Sequence, residues 1–167
     1  HQRKFEEAIK LHKSTLRSRR RVLGMDHRDT LGTKSNLATS LQMNGQLEEA
    51  EKMFRTTLKT MKRVLPKNDD YMLSALNNLA GLLDDELGKH AEAEAMFREV
   101  LAIQLQMLGP EHPATLLTKG NVSTSLRSQG KYAEALPLAR ESYRGYTKVY
   151  SSKHPHTLHT ASSLGYT

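Results

Sequence analysis

The histidines and acidic side chains are where chemistry would have to reside in this chain. His112 stands beside Glu111 and before Pro113 in "LGPEHPATL" (108–116), a pairing that suits a carboxylate-oriented base or a metal ligand. The densest grouping is "HPHTLH", with His154, His156 and His159. Zinc there needs a fourth ligand and orienting partners, which the neighbouring residues do not announce. Asp84, Asp85 and Glu86 form an acidic run able to hold a divalent cation, but lone runs of this kind are ordinarily solvated faces. His12, His27 and His90 stand apart from one another, and there is no Gly-rich phosphate loop, nucleophile elbow or paired helical histidine. With no cysteine among 167 residues, disulfides, thiolate metal sites and a cysteine nucleophile are excluded. The expectation is no enzyme, with no catalytic residue, no metal and no cofactor.

What these residues do instead is recur. "LGMDHRDTL" (23–31), "LPKNDDYML" (65–73), "LGPEHPATL" (108–116) and "YSSKHPHTL" (150–158) follow one another at spacings of 42, 43 and 42 residues. The same spacing relates "RKFEEA" (3–8), "GQLEEA" (45–50), "GKHAEA" (88–93) and "GKYAEA" (130–135). A third set, "NLA" (36–38), "NLA" (78–80), "NVS" (121–123) and "SLG" (163–165), keeps that period, with one inserted residue between Leu83 and Gly88. A residue replaced by Asp69 at the corresponding place has no need of an imidazole, so His112 reads as part of a turn. The chain is a tandem array.

Each period predicts two helices. The first opens at the His/Asp segment, where Pro113 and Pro155 suit the first helical position. It runs through Leu31, Leu37 and Leu41, or Leu73, Leu76, Leu79 and Leu83, and closes at Gly45, Gly88 or Gly130. The second carries Leu47, Ala50, Phe54, Leu58, Met61 and Leu65, or Tyr132, Ala135, Leu138, Tyr143 and Tyr146, opposite a charged face. Small residues hold two fixed registers, Ala38, Ala80, Ser123 and Gly165 in the first helices and Ala8, Ala50, Ala93 and Ala135 in the second. Close helix crossings are expected there.

The "NLATSLQMNGQLEEA" pattern, a Leu-Ala followed by a glycine, then Leu or an aromatic and an Ala, resembles the tetratricopeptide repeat. Its 42-residue period with "LGPEHPATL" linkers is similar to the longer variant found in kinesin light chains. The resemblance implies an all-α fold, a right-handed superhelix (a TPR solenoid) of antiparallel helix pairs with the first helices lining a concave groove. On this reading 1–22 is the second helix of a partial repeat, 23–64, 65–107 and 108–149 are complete repeats, and 150–167 is the first helix of another. The single array 1–167 is then expected to be a fragment of a longer protein.

The resemblance further implies a protein or peptide ligand, an extended peptide or partner helix, held in the groove. Asn36, Asn78 and Asn121 share one register, and an amide that both donates and accepts can pair with a peptide backbone. Asn77 makes a doublet with Asn78, of the kind kinesin light chains show there. Thr39 and Thr124, with Gly81 between them in the repeat order, follow one turn on, then Gln42 and Arg127. This lining is polar and only mildly basic. The alternative use for the asparagines is to tie neighbouring helices together across the stack.

Net charge is +7, but residues 1–22 hold eight Lys/Arg against two Glu, so the charge is local. Its centre, "RSRRR" (17–21), lies at the end of the first helix, where cations favour the helix dipole. It reads as a solvated rim; nucleic-acid or anionic-surface binding is the less favoured use, since no aromatic residues are interleaved for stacking. No apolar run approaches a membrane span or a signal peptide, so a cytoplasmic protein without membrane association is expected. A spacer or self-association role, with homodimerisation through exposed terminal helices, is the competing expectation.

Overall fold

Histidine, aspartate and histidine open successive first helices in the computed structural model, which describes residues 2–149 of the protein. Within those residues the regular elements are α1 (Gln2–Leu23), α2 (Arg28–Met43), α3 (Leu47–Val64), α4 (Asp70–Gly81), a π-helical segment (Leu82–Glu86), α5 (His90–Met107), α6 (Pro113–Ser128) and α7 (Tyr132–Val149). The fold is all-α, and within each unit short turns fold successive helices back into antiparallel pairs. Residues 150–167, with the expected last half-repeat and the "HPHTLH" cluster, lie outside the described residues. The described chain divides into two units, residues 2–86 and 87–149.

The turn chemistry repeats. His27 Nδ1 accepts from the Asp29 N–H at 3.2 Å, and His112 Nδ1 accepts from the Ala114 N–H at 3.2 Å. At the corresponding place Asp69 accepts from the N–H groups of Tyr71 and Met72. Each side chain satisfies amide donors that the first turn of a helix leaves without partners. At the other end of α2, Gln46 N–H donates to Leu41 C=O and Gly45 N–H to Gln42 C=O, both at 2.9 Å. Lys131 and Gly130 repeat these two bonds on Leu126 and Arg127 at the end of α6. Gly45 and Gly130 adopt φ of 79° and 75°, the left-handed conformation this closure requires.

In the first unit the core comprises Leu37, Ala38 and Leu41 of α2, Phe54, Leu58 and Met61 of α3, and Leu76, Leu79 and Ala80 of α4. Ala38, Ala50 and Ala80 are wholly buried, and Ala8 is half-buried. The inserted residue of this repeat is absorbed by the π-helical segment, where an extra residue per turn carries it without ending the helix. Leu82, Leu83 and Asp84 remain buried, and the chain still reaches Gly88 at the turn.

In the second unit α6 and α7 are stitched by hydroxyls. Ser123 Oγ donates to Ala135 C=O at 2.9 Å, Ser142 Oγ to Leu116 C=O at 2.8 Å, and Tyr146 OH to Pro113 C=O at 3.0 Å. Gly145 lies so close to Leu116 that an added Cβ would fall 2.4 Å from its Cδ2. The stripe expected on α7 is only partly buried: Tyr146 and Ala135 are inside, but Tyr132 is 68% exposed. As the first residue of the helix, it precedes the point at Ala135 where α7 closes on α6.

Glu94 ties α5 to the turn between α6 and α7. It accepts from Arg98 Nε at 2.7 Å, Gln129 Nε2 at 2.8 Å and Lys131 Nζ at 3.1 Å. Burial, the largest single influence, pushes its carboxyl up, but the bonds from Arg98, Gln129 and Lys131 together outweigh it and hold the group below the ordinary value of 4.5. A carboxylate depressed on folding stabilises above its unfolded pKa, and that contribution is lost as pH falls through the lower folded value.

Two outcomes follow. His112→Ala costs about 1 kcal/mol in denaturant unfolding while His112→Asp keeps full stability, as expected for a cap rather than a site of imidazole chemistry. Glu94→Gln costs about 1–2 kcal/mol near neutral pH, and the gap to wild type closes on acidification below pH 4.5, read by thermal melts across pH.

Candidate functional site

The face in question starts from helix geometry. At about 100° per residue, Arg28, Gly32, Asn36 and Met43 of α2 fall along one stripe with Thr39 beside it. Tyr71, Ser74 and Asn78 form the matching stripe on α4. In the first unit these two helices meet: Asn78 Nδ2 donates to Thr39 Oγ1 at 3.2 Å, and Thr39 in turn donates to Ser35 C=O at 3.3 Å. Asn36 and Asn78 are exposed, and Thr39 is half-buried between them. Thus one of the predicted asparagines does bridge neighbouring helices, while Asn36 stands in solvent.

Two predicted residues fall off the stripe. Asn77 is half-buried with its Oδ1 out of contact with solvent and with no hydrogen-bond partner among the described residues. Gln42 is half-buried and turned roughly 120° around α2 from Asn36, whereas Met43, nearly in line with Asn36, is 57% exposed. Asn121 and Thr124 of α6 are half-buried in the second unit, Thr124 donating to Gly120 C=O at 3.1 Å, and Arg127 is exposed. In the first unit the stripe carries Asn36 and Asn78; Asn121, Thr124 and Arg127 lie on α6 of the second.

The sequence reading missed the upper end of the α2–α4 face. Arg28 Nε donates to Asp69 Oδ2 at 2.6 Å, and its guanidinium lies 4.2 Å from the centroid of the Tyr71 ring. The bond to Asp69 pushes Arg28 above its ordinary value, so it stays cationic. Gly32 makes room for the ring, since an added Cβ would lie 3.0 Å from Tyr71 Cδ2. The available signal was the positions four residues before Asn36 and seven before Asn78, one and two turns back on the same stripe. The arrangement offers amide and hydroxyl groups for a backbone, a cation–π pair at one end and an exposed thioether at the other.

The other candidates sort differently. Asp84 is buried in the π-helical segment, and among the described residues no three of His, Asp and Glu come together to hold a metal. No described helix is long and apolar enough to cross a membrane. Within "RSRRR", Arg19 departs from a solvated rim: its Nη1 donates to Asp29 C=O at 3.0 Å and to Thr33 Oγ1 at 2.7 Å, fixing α1 on α2. Arg17, Arg20 and Arg21 are exposed.

One family model and three solved structures are similar to this chain. The tetratricopeptide repeat family model matches residues 1–63, 29–106 and 71–148. A crystal structure of kinesin-light-chain-type, nearly identical TPR-like repeats from Podosopora anserina superposes with a TM-score of 0.81 at 25% identity, covering 96% of this chain and 75% of that one. A single-substitution variant of it gives 0.82 at 24% identity, with the same coverage. BtubC (BKLC) from P. vanneervenii gives 0.73 at 20% identity over 96% of this chain and 64% of its own, a likeness of fold alone. No curated protein matches the sequence.

Proposed function

Because the chain belongs to the tetratricopeptide repeat family, we propose that it is a binding scaffold whose α2–α4 face receives an extended peptide or a helix of a partner protein. The observation that carries this reading is the exposure of Asn36 and Asn78 on adjoining helices, at positions the core does not use. Asn78 keeps its Oδ1 as an acceptor while its amide nitrogen is held by Thr39, so the rung is oriented before any ligand arrives. Such preorganisation lowers the ordering cost of binding. Arg28 on Tyr71 and the Met43 thioether favour ligand side chains at either end of the asparagine pair. Asn121, Thr124 and Arg127 offer similar groups on α6 of the second unit. The protein acts by holding a partner, not by catalysis, and a cytoplasmic setting suits the proposal.

The test uses a peptide selected against the whole chain from a display library. Asn36→Ala is expected to weaken its binding at least tenfold with an unchanged melting temperature. Asn78→Ala is expected to weaken binding as much, and Thr39→Val, which keeps both asparagines but removes the orienting bond along with the Thr39 bond to Ser35 C=O, to weaken it less. Full affinity in both alanine variants with the fold intact refutes the asparagine mechanism.

A second reading, self-association through α1, is favoured by Leu11 and Val22, which are 66% and 73% exposed on that helix. Light scattering decides it: a dimer that grows with concentration and is lost in Leu11→Glu/Val22→Glu supports this use, and a monomer at all concentrations removes it.

A further inference from the structure

The face of α2 opposite Asn36 carries a cavity that the peptide-binding reading does not use. Lys34 is two residues from Asn36, so it lies roughly 200° around the helix. It lines a cavity of about 220 Å³ together with Arg17 and Arg20 of α1, Met25 and Asp26 of the turn, and Thr60 of α3. The same place in the third repeat is also a cavity, of about 290 Å³, with Pro110, Glu111, Lys119 and Gly145 at the positions of Met25, Asp26, Lys34 and Thr60. Two copies of one pocket can therefore be compared within one chain.

The copies differ in charge balance. Lys119 Nζ sits 2.8 Å from Glu141 Oε2, and its side chain is 8% exposed, so that cavity contains its own counter-ion. The position matching Glu141 is Thr56, and among the described residues no carboxylate pairs with Lys34. The one acidic residue at the Lys34 cavity, Asp26, is ion-paired to Arg63 from outside it. Lys34 is half-buried, and burial first, then the like charge of Arg20, lowers its pKa from the ordinary value. Three cations thus border one cavity with no free carboxylate to balance them. In the middle repeat the position is Leu76, which is buried and apolar.

We propose that this cavity binds a phosphomonoester group, with Arg17, Arg20 and Lys34 as its cationic ligands. A phosphomonoester carries close to two negative charges and three acceptor oxygens, which three cations match better than they match a single carboxylate. Guanidinium groups bind phosphate oxygens in pairs and an ammonium supplies a point charge. The apolar wall formed by Leu16, Met25 and Leu31 leaves space for the atoms that carry the group. A phosphorylated side chain of a protein and a free phosphorylated small molecule share this chemistry. A nucleic-acid backbone fits less well, since the cations line a cavity and not an open track, with no aromatic residue among its lining.

The experiment titrates the full chain, followed by amide NMR, with inorganic phosphate, free O-phosphoserine, a phosphoserine peptide and its unphosphorylated form. Saturable shifts centred on residues 17, 20 and 34 are expected from phosphate and from both phosphorylated ligands, but not from the unmodified peptide. Tighter binding of the peptide than of O-phosphoserine identifies a protein source, and equal binding a small-molecule one. Lys34→Met is expected to weaken each at least tenfold, and Lys119→Met to leave them unchanged. Without ligand, Lys34→Met is expected to melt a few degrees higher, because an unbalanced half-buried charge is gone, and phosphate should raise the melting temperature of the wild type only. The proposal is overturned by non-saturating shifts, by equal affinity in Lys34→Met, or by duplex DNA binding while phosphate and the phosphopeptide leave Lys34 unmoved.

Discussion

Everything in the two units depends on helices approaching closely enough to touch along their backbones. Ala38, Ala50, Ala80, Ala93 and Ser123 are wholly buried because a larger side chain at any of them would hold two helices apart. At Gly145 the approach is closer still, leaving no room for a Cβ against Leu116. Close approach fixes the rotation of each helix about its own axis, and that rotation decides which residues face the core, the asparagine stripe and the basic cavity. A shift of one residue turns a helix by about 100° and would exchange these faces. The π-helical segment is what this constraint requires where the chain carries one residue too many.

The sequence disclosed the parts of this arrangement that depend on residue type alone. Recurring small residues, turn residues and glycines each have a physical reason to be one or a few residue types, so their spacing exposed the period, the helix pairs and the place of His112 in a turn. Even the place of the insertion was readable, because anchors on both sides of it were fixed. What the residue string did not disclose depends on side-chain direction and reach. Asn36 and Asn78 look equivalent in sequence, yet only Asn78 has Thr39 within hydrogen-bond distance. Asn77 and Gln42 were expected on the face, but one residue of offset is enough to turn Asn77's carbonyl inward and Gln42 aside.

The basic run shows the same limit. Five residues that read as one patch divide by direction: Arg19 is spent on the α1–α2 contact, while Arg17 and Arg20 border a cavity with Lys34, fourteen residues further on. Nor did composition reveal that Lys34 and Lys119 share a register with opposite outcomes, since the difference rests on whether Thr56 or Glu141 follows twenty-two residues later. Repetition gives each repeat the same sockets, and single substitutions decide which sockets are filled internally. The chain varies its surface chemistry in this way without altering how the helices pack.

The ion pair of Arg28 with Asp69 joins residues 41 apart, about one repeat. Bonds of this reach set the pace of folding as well as its product. When contacts close loops no longer than a repeat, the entropy of closure stays small, and a helix pair formed anywhere can act as the template for its neighbour. Structure can then spread in either direction from whichever pair forms first. Fast, local assembly of this kind leaves little time for exposed apolar stripes to find those of other chains.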